Sequence, residues 1–334
     1  MTVKFGLLGA GRIGKVHARA IRNNPDAELV AVADAIPAAA QSLAEGYGIA
    51  VRSIDEIAQS PDIDAVVICT PTDTHADLIE QFTAIGKAVF CEKPIDLSVE
   101  RVRRCLAAVK ANGGTLMVGF NRRFDPDFMA VKAAIDGGAI GEVEMVTISS
   151  RDPGAPPADY IKRSGGIFRD MTIHDFDMAR WLLGEEPETV VAQASVLTDP
   201  AIGDLGDYDS VNVILKTASG RQAIITNSRR ATYGYDQRIE VLGSKGSVAA
   251  ENQREANIEI ANAQGFTRPP LLNFFMTRYT EAYANEIEGF IAAVSAKGET
   301  PTTGEDGLKA LVLADAALRS AQEGRAVIVS EILG

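Results

Sequence analysis

A glycine-rich segment near the start of the chain constrains the fold more than any other feature of this sequence. Gly9-Ala10-Gly11-Arg12-Ile13-Gly14 directly follows a short apolar run, Val3 to Leu8, and directly precedes a segment with helical periodicity. In this context the first glycine permits a tight turn, the second lets the backbone approach a pyrophosphate, and the third allows close packing of helix on strand. The helix N-terminus then points at negative charge. The pattern predicts a parallel α/β domain that binds a dinucleotide.

Short apolar runs alternate with helix-period segments through the first 120 residues, as they do in a parallel sheet covered by helices on both faces. The predicted strands are Val3 to Leu8, Leu29 to Ala33, Ala65 to Cys69, Ala88 to Cys91 and Leu116 to Val118. The predicted helices are Ile13 to Asn23, Pro37 to Tyr47, Ile54 to Gln59, Thr74 to Ile85 and Ser98 to Ala111. Ser98 resembles an N-cap, and Asn112-Gly113-Gly114 supplies a stop signal.

The pattern changes after a helical segment that ends at Gly137-Gly138. Strand-like runs then follow one another, interrupted by one helix near Ile173 to Leu183, which favours an antiparallel or mixed sheet with helices on one face. These runs are Val143 to Ser149, Val190 to Leu197, Val211 to Lys216, Gln222 to Ser228, Ile239 to Leu242 and Ile258 to Ile260. Helices at about 275–296 and 305–322 and a short strand at 326–330 complete the prediction.

The sequence therefore predicts two domains. Residues 1–120 are expected to form an α/β Rossmann domain that binds NAD. Residues 121–334 are expected to form an α+β domain with a large, mostly antiparallel open sheet, for substrate binding and oligomerisation. The exposed face of that sheet is a natural interface between copies, because a broad open sheet otherwise leaves apolar surface in water.

The charge balance limits the class of partner. The formal net charge is −12 and the pI is about 4.9, whereas nucleic acids and anionic membranes need concentrated Lys and Arg. A small-molecule ligand is expected instead. Cys69, Cys91 and Cys105 form no CxxC motif and are expected to be reduced core residues. Without a signal peptide or a long apolar segment, the expected location is cytoplasmic.

An acidic residue predicts which dinucleotide binds. Asp34 ends the second strand, about 20 residues after Gly14, where a carboxylate accepts hydrogen bonds from ribose hydroxyls and repels a 2′-phosphate. NAD is therefore expected rather than NADP, with Arg12 along the pyrophosphate or in solvent. A further segment, Cys69 to His75, lies at the carboxyl edge of the sheet, where ligands bind in such folds. Helix capping and packing are the alternative roles for Thr74 and His75. The cofactor-binding candidates are Gly9, Gly11, Arg12, Ile13, Gly14, Asp34, Thr70, Pro71, Thr72, His75, Glu92 and Lys93.

A lysine stands at the same sheet edge. Phe90-Cys91-Glu92-Lys93-Pro94 ends the strand that begins at Ala88. Most lysines are solvated surface charges, but the following proline fixes the local chain and removes a backbone donor. We therefore expect a rigid turn that aims Lys93.

Asp170 and His174 form a second chemical group, between Gly165 and Asp177. A nicotinamide accepts a hydride but cannot take the hydroxyl proton of an alcohol, so a dehydrogenase needs a base from outside its cofactor fold. Among the three histidines of the chain, His174 is the leading candidate. Asp170 precedes the predicted helix and His174 lies in its first turn, so the two are expected to converge. The alternative is that Asp170 caps the helix, His174 packs in the core and Asp177 is an ordinary helix carboxylate.

Four segments together resemble the glucose–fructose oxidoreductase, inositol dehydrogenase and rhizopine catabolism (Gfo/Idh/MocA) family. They are Gly9 to Gly14, Glu92-Lys93-Pro94, Gly119 to Phe124 and Gly165 to Trp181. The resemblance covers essentially the whole chain and is strongest to the inositol 2-dehydrogenases of that family. It implies a Rossmann domain, a second domain built on a large open sheet, NAD as cofactor without a metal, and often a homotetramer.

The resemblance also implies roles for individual residues. The implied catalytic set is Lys93, Asp170 and His174, and the residues implied near the substrate are these three with Asn121, Arg122, Asp152 and Tyr235. The implied reaction is oxidation of a cyclic polyol at a secondary hydroxyl, myo-inositol giving 2-keto-myo-inositol (scyllo-inosose). His174 would remove the hydroxyl proton, Asp170 would orient the imidazole or the substrate, and Lys93 would stabilise negative charge on the oxygen.

Three alternatives stay open at this point. The substrate can be scyllo-inositol or an aldose pyranose, since these rings differ only in the arrangement of hydroxyl groups. Asp170, His174 and Asp177 also have the chemistry of metal ligands. Finally, a Rossmann domain can serve a protein that senses NAD without catalysis.

Overall fold

The computed structural model describes residues 2–333. The N-terminal half contains β1 (Val3–Leu8), α1 (Arg12–Asn23), β2 (Ala27–Ala33), α2 (Pro37–Tyr47), β3 (Ala50–Val51), α3 (Ile54–Gln59), β4 (Ala65–Ile68), α4 (His75–Ala84), β5 (Ala88–Glu92), α5 (Val99–Ala111), β6 (Leu116–Gly119), α6 (Pro126–Asp136), β7 (Val143–Arg151) and α7 (Ala158–Ser164). The C-terminal half contains α8 (Ile173–Leu183), β8 (Pro187–Ser195), α9 (Pro200–Asp204), β9 (Ser210–Thr217), β10 (Gln222–Ser228), β11 (Asp236–Gly243), β12 (Gly246–Ala250), β13 (Ile260–Asn262), β14 (Gly265–Thr267), α10 (Phe275–Arg278), α11 (Thr280–Ala296), α12 (Gly304–Glu323), β15 (Val327–Ile328) and α13 (Ser330–Leu333).

The chain divides into two compact units. The first contains the residues up to Asp125 together with Thr280–Leu311, and the second contains Pro126–Tyr279 together with the residues from Val312 onward. The sequence analysis predicts one domain boundary at residue 120, with all later residues in the second domain. In the structure, Thr280–Leu311 belongs to the first unit instead. Only the three-dimensional contacts reveal that α11 belongs with the N-terminal unit.

The first unit is built on a six-stranded parallel sheet in the order β3-β2-β1-β4-β5-β6. Its central strands are buried on both faces, which explains why β4 is a continuous apolar run rather than an alternating one. The order reverses between β1 and β4, and ligands bind beyond the carboxyl ends of the strands at such a point. Helix α11 packs on this sheet, with the Phe290 ring 6.1 Å from that of Phe5 and 5.8 Å from that of Phe90.

The second unit contains a seven-stranded sheet in the order β12-β11-β7-β10-β9-β8-β15. Its neighbouring strands are antiparallel except for β7 and β10, which are parallel. Helix α8 packs against β7 and β10 on one face, while β9 alternates buried and exposed residues along its length. The predicted fold, a Rossmann domain followed by an α+β domain with a mostly antiparallel open sheet, is confirmed.

Several predicted element boundaries differ from the structure. The helix expected over 275–296 is two helices, because Tyr279 leaves the helical conformation (φ −108°, ψ 26°) and its buried ring packs against Tyr235 and Phe128. The strand expected at Ile258 to Ile260 begins only at Ile260, as one arm of the β13–β14 hairpin. The sequence prediction also omitted the short helices α7 and α9.

Two further observations concern the residues that the structure describes. Cys69, Cys91 and Cys105 are buried and form no disulfide. Within residues 2–333, none of the helices combines the length and the apolar character required to span a lipid bilayer.

Candidate active site

The glycine loop after β1 has the geometry of a dinucleotide cradle. Gly9 has a φ of +102°, and a Cβ there would lie 2.5 Å from the carbonyl oxygen of Cys69, so a side chain is excluded. A Cβ on Gly14 would lie 2.0 Å from the carbonyl oxygen of Gly9, which explains the close contact of α1 with the loop. Gly11, by contrast, faces open space. The middle of the loop is thus the part that a ligand can approach.

Asp34 is held beside this loop by the backbone. Its Oδ2 accepts a hydrogen bond from the amide of Ala10 (2.6 Å) and its Oδ1 accepts one from the amide of Ile36 (2.7 Å). Helix α1 begins after Gly11 without a side-chain cap and without an acidic residue in its first turn, so its N-terminus is available to an anion. The loop, the helix N-terminus and the carboxylate fit a dinucleotide with a pyrophosphate and a free ribose hydroxyl pair.

The loops after β4 and β5 are joined by His75. This residue is 2% exposed, and its Nε2 and Nδ1 lie 2.8 Å from the carbonyl oxygens of Thr70 and Pro94 respectively. Burial lowers the pKa of His75. The ring therefore fastens the Thr70 loop to the turn after Lys93.

Glu92, the last residue of β5, also helps to fix the strand end that carries Lys93. Glu92 Oε1 lies 2.7 Å from Nε2 of His17, while Lys93 itself is half-buried. Beyond the neighbouring strand β6, a turn of 3₁₀ helix holds Asn121 and Arg122, both buried. Lys93, Asn121 and Arg122 thus follow adjacent strands at the carboxyl edge of the Rossmann sheet.

In the second unit, Asp170 and His174 lie about one helical turn apart. A π-helical turn, Phe168–Thr172, leads directly into α8, so the two side chains share a face of continuous helical backbone. Both are half-buried, although the residues from Asp175 to Arg180 are all buried. The structure therefore brings Asp170 and His174 together on an accessible surface.

The carboxylate of Asp170 has two partners that the sequence analysis missed. Tyr160 donates a hydrogen bond to its Oδ1 (2.8 Å), and both terminal nitrogens of Arg229 lie 3.4 Å from its Oδ2. Arg229 is 1% exposed and also faces Asp207, at 3.6 Å. A buried cation thus holds Asp170 in place. A signal for Arg229 was present in the sequence, because it follows directly after a predicted strand.

Asp152 stands at the same edge of the sheet. Strands β7 and β10 are parallel, with Arg151 in register with Ser228, and the Asp152 amide donates to the Ser228 carbonyl oxygen (3.0 Å). The residues after the two strands, Asp152 and Arg229, are consequently neighbours. Tyr235 is buried, with its ring 6.4 Å from that of Phe274 and 5.9 Å from that of Tyr279.

A buried polar cluster fixes the start of α8 on the sheet. Asp175 accepts hydrogen bonds from Ser150 (2.6 Å) and Asn227 (2.8 Å), and Thr172 donates to Asn227 (2.7 Å). The residue next to His174 is thereby tied to β7 and β10. Such a fully bonded cluster holds the helix in one position, and with it the imidazole.

Asp177 is the third residue of the metal-site alternative. Asp177 is buried and faces Arg180 at 3.7 Å, as an ordinary helix carboxylate does. Across residues 2–333, no group of three or more His, Cys, Asp or Glu side chains is placed to hold a metal ion.

Comparison with known proteins gives the family. Residues 3–120 match the oxidoreductase family with an NAD-binding Rossmann fold, and residues 128–249 match the GFO/IDH/MocA C-terminal domain. The chain belongs to the Gfo/Idh/MocA family. The expected family and the expected class, an oxidoreductase with an NAD-binding fold, are confirmed.

Relatives in the Gfo/Idh/MocA family extend over the whole chain. An inositol 2-dehydrogenase of Rhizobium meliloti (strain 1021) is 72% identical over 330 residues, which are 99% of this chain and all of the relative. A myo-inositol 2-dehydrogenase of Thermotoga maritima is 44% identical over 99% of this chain and all of the relative. The crystal structure of a scyllo-inositol dehydrogenase from Lactobacillus casei, with bound NAD(H) and scyllo-inositol, has a TM-score of 0.92 and 30% identity and covers 99% of this chain and all of that chain.

Proposed function

We propose that this chain oxidises a secondary hydroxyl of an inositol with NAD, and that its preferred reaction converts myo-inositol to scyllo-inosose. The observation that carries the proposal is the half-buried His174, one turn from an Asp170 that Tyr160 and Arg229 hold in place. The 72% identical relative named for this activity supports the choice of substrate.

Each candidate residue has one task in the proposed reaction. NAD⁺, when bound, supplies the hydride acceptor. His174 takes the proton of the reacting hydroxyl, and Asp170, itself held by Arg229, orients the imidazole or the substrate. Lys93 is the cation that stabilises negative charge on the oxygen, an effect whose loss typically costs about 10²- to 10³-fold in rate. The ring hydroxyls are bound by Asn121, Arg122, Asp152 and Tyr235.

The preference for NAD over NADP is assigned to Asp34. Its carboxylate faces the glycine loop and its two oxygens are fixed by the Ala10 and Ile36 amides. A fixed negative charge accepts hydrogen bonds from the ribose hydroxyls and repels a 2′-phosphate. The pyrophosphate is held by Gly9, Gly11, Arg12, Ile13 and Gly14. The loops after β4 and β5 border the cofactor-binding site with Thr70, Pro71, Thr72, His75 and Glu92.

A substrate panel tests the proposed function. Initial rates of NADH formation are measured with myo-inositol, scyllo-inositol and aldose pyranoses, each with NAD and with NADP. The highest kcat/KM is expected for myo-inositol with NAD. A higher value for scyllo-inositol would favour the second candidate, which the scyllo-inositol dehydrogenase of similar fold supports. Absence of NADH formation with every polyol, together with binding of NAD, would favour a sensing protein and refute catalysis.

The same proposal includes a homotetramer assembled through the open sheet. On the face opposite α8, partly exposed apolar side chains lie on neighbouring strands. Ile214 is in register with Val191 and Ile224, and Met145 is in register with Leu242. A second copy would cover these side chains. Ile214→Glu is expected to reduce the sedimenting mass, whereas an unchanged mass, or a wild-type monomer, would contradict the interface. A cytoplasmic location stays a prediction.

A further inference from the structure

Three titratable side chains that take no part in the proposed transfer of hydride and proton meet inside the first unit. His17 lies on α1, Glu92 at the end of β5 and Glu286 on α11. His17 and Glu286 are 0% exposed, and His17 Nε2 lies 2.7 Å from Glu92 Oε1. Tyr283, one turn before Glu286 on α11, packs its ring edge-on against the His17 imidazole at 5.5 Å. Glu286 therefore stands on the face of α11 that covers the His17–Glu92 pair.

The buried acid Glu286 has an unusual environment. Both of its carboxyl oxygens, and Nδ1 of His17, are buried without a hydrogen-bond partner among the described residues. An ionised carboxylate in such surroundings is costly, and a second one nearby adds repulsion. Accordingly, burial raises the pKa of Glu286 well above its ordinary value, and the charge of Glu92 raises it further. Its environment therefore favours the neutral, protonated form of Glu286.

Two thiols also lie near this cluster. Cys69 directly follows β4 and Cys91 lies on β5, and burial raises the pKa of both thiols well above the ordinary value, which favours their protonated forms. Neither thiol therefore adds a negative charge beside Glu92.

The carboxylate of Glu92 has a fixed position on the sheet. On the neighbouring strand, Gly119 is in register with Glu92, and a Cβ on Gly119 would lie 3.1 Å from Glu92 Oε2. The missing side chain of Gly119 leaves room for the carboxylate, and His17 holds it from the helix side. Glu92 is the last residue of β5 and Lys93 follows it directly, so a fixed Glu92 also fixes the strand end from which the Lys93 side chain extends.

We propose that His17 and Glu286 are positioning residues for Lys93. His17 fixes the Glu92 carboxylate by a hydrogen bond, and the proton on Glu286 keeps a second buried negative charge from displacing it. The inference rests on the proposed function, in which Lys93 acts on the reacting oxygen. In this inference, helix α11 helps to fix the strand end that carries Lys93, the cation of the proposed reaction.

The first test distinguishes the effect of the His17 hydrogen bond from the effect of the side-chain volume of His17. Gln places a non-titrating amide donor near the position of Nε2, whereas Leu fills the space without a donor. We expect His17→Leu to lower kcat by about 10- to 100-fold, because a displacement of the order of 1 Å at a reacting group has this effect. His17→Gln is expected to recover most of the loss, with KM for NAD unchanged in both variants. Equal kcat in the two variants, or a change confined to KM, would overturn the proposal.

The second test concerns the proton on Glu286. The ratio of kcat for Glu286→Gln to that of wild type is expected to rise toward alkaline pH, because Gln cannot become charged. A matched control is Glu288→Gln, an exposed acid on the same helix, for which the ratio should stay constant. A ratio for Glu286→Gln that is also constant with pH would refute the role of the proton.

A substrate-free measurement distinguishes failure of this inference from failure of the proposed function. Infrared spectra at neutral pH are expected to show the C=O stretch of a protonated carboxylic acid, lost in Glu286→Gln and retained in Glu288→Gln. If wild type fails to oxidise any polyol but shows this band, the proposed function fails and the charge state of the cluster holds. If wild type oxidises inositol but lacks the band, the inference about Glu286 is wrong.

Discussion

Replacement of Arg229 by Met is the sharpest test of how the second unit holds its candidate catalytic carboxylate. Arg229 is 1% exposed, its guanidinium lies 3.4 Å from Asp170 and 3.6 Å from Asp207, and Met has a similar length without charge. The variant removes the buried cation that both carboxylates face. Both stability and turnover should therefore suffer.

The magnitude follows from the distances. At 3.4 Å and an effective dielectric constant of about 20, one pair of unit charges interacts by about 5 kcal/mol before any desolvation cost is subtracted. Removal of one partner of a buried pair costs about 3–5 kcal/mol, since the other charge stays buried. For a unit of this size, such a loss lowers the Tm by about 6–20 °C. We also expect kcat to fall, because Asp170 loses the group that orients it.

Urea denaturation provides the assay. The chain has one tryptophan, Trp181 on α8, so its fluorescence reports on the second unit. Arg230→Met is the matched control, because this adjacent arginine is exposed and its loss should cost less than about 1 kcal/mol. The reasoning is refuted if Arg229→Met and Arg230→Met unfold at the same urea concentration.

Three further predictions concern the base, the cofactor and an acid-sensitive loop. His174→Ala should lower kcat by about 10²- to 10⁴-fold with NADH binding nearly intact, and near-normal turnover would reject His174 as the base. Asp34→Ala removes the acceptor of two backbone amides, so kcat/KM for NAD should fall by about tenfold or more relative to that for NADP; an unchanged ratio would contradict the role of Asp34. Burial acts to raise the pKa of Asp209, but amide hydrogen bonds from Leu197, Thr198 and Asp199 outweigh it and lower the pKa to about 2. Because this folded-state pKa lies below the unfolded value, the stabilisation is present above about pH 4 and is lost as pH falls toward 2. The stability difference between wild type and Asp209→Asn, measured by urea unfolding, should shrink over that interval, and a difference independent of pH would argue against the hydrogen bonds as its source.

Local sequence signals were sufficient for most of the elements between Val3 and Gly119, although the short strand β3 was not predicted. The structure begins α2 at Pro37 and α3 at Ile54, and the Ser98 side chain caps α5 by accepting a hydrogen bond from the Arg101 amide (3.3 Å), as predicted. These features depend on residues within a few positions of one another: an apolar run, a capping hydroxyl, a proline in the first turn. The same holds for the glycine loop, whose required backbone conformation is encoded by Gly9 itself.

Within the candidate site, the sequence predicted which residues stand at strand and helix ends but not what holds them. Lys93, Asp170 and His174 were identified from motifs and a family resemblance, and the roles assigned to them stay predictions. Tyr160 and Arg229, which hold Asp170, come from segments 10 and 59 residues away in the chain. Asp170 precedes α8 and Arg229 follows β10, so their contact depends on the packing of α8 against β10, which no local pattern reveals.

The amino-acid sequence by itself determined the order of helices and strands, the dinucleotide loop and the residues able to carry redox chemistry, because propensity, capping and glycine geometry act over short stretches of chain. Tertiary structure alone decided that the tail helix α11 covers the Rossmann sheet and sets Glu286 beside His17, and that a buried arginine faces Asp170. Those pairings arise when apolar faces distant in sequence are buried together. The charged side chains that become buried in this way are stabilised only by the partners that the packing places next to them.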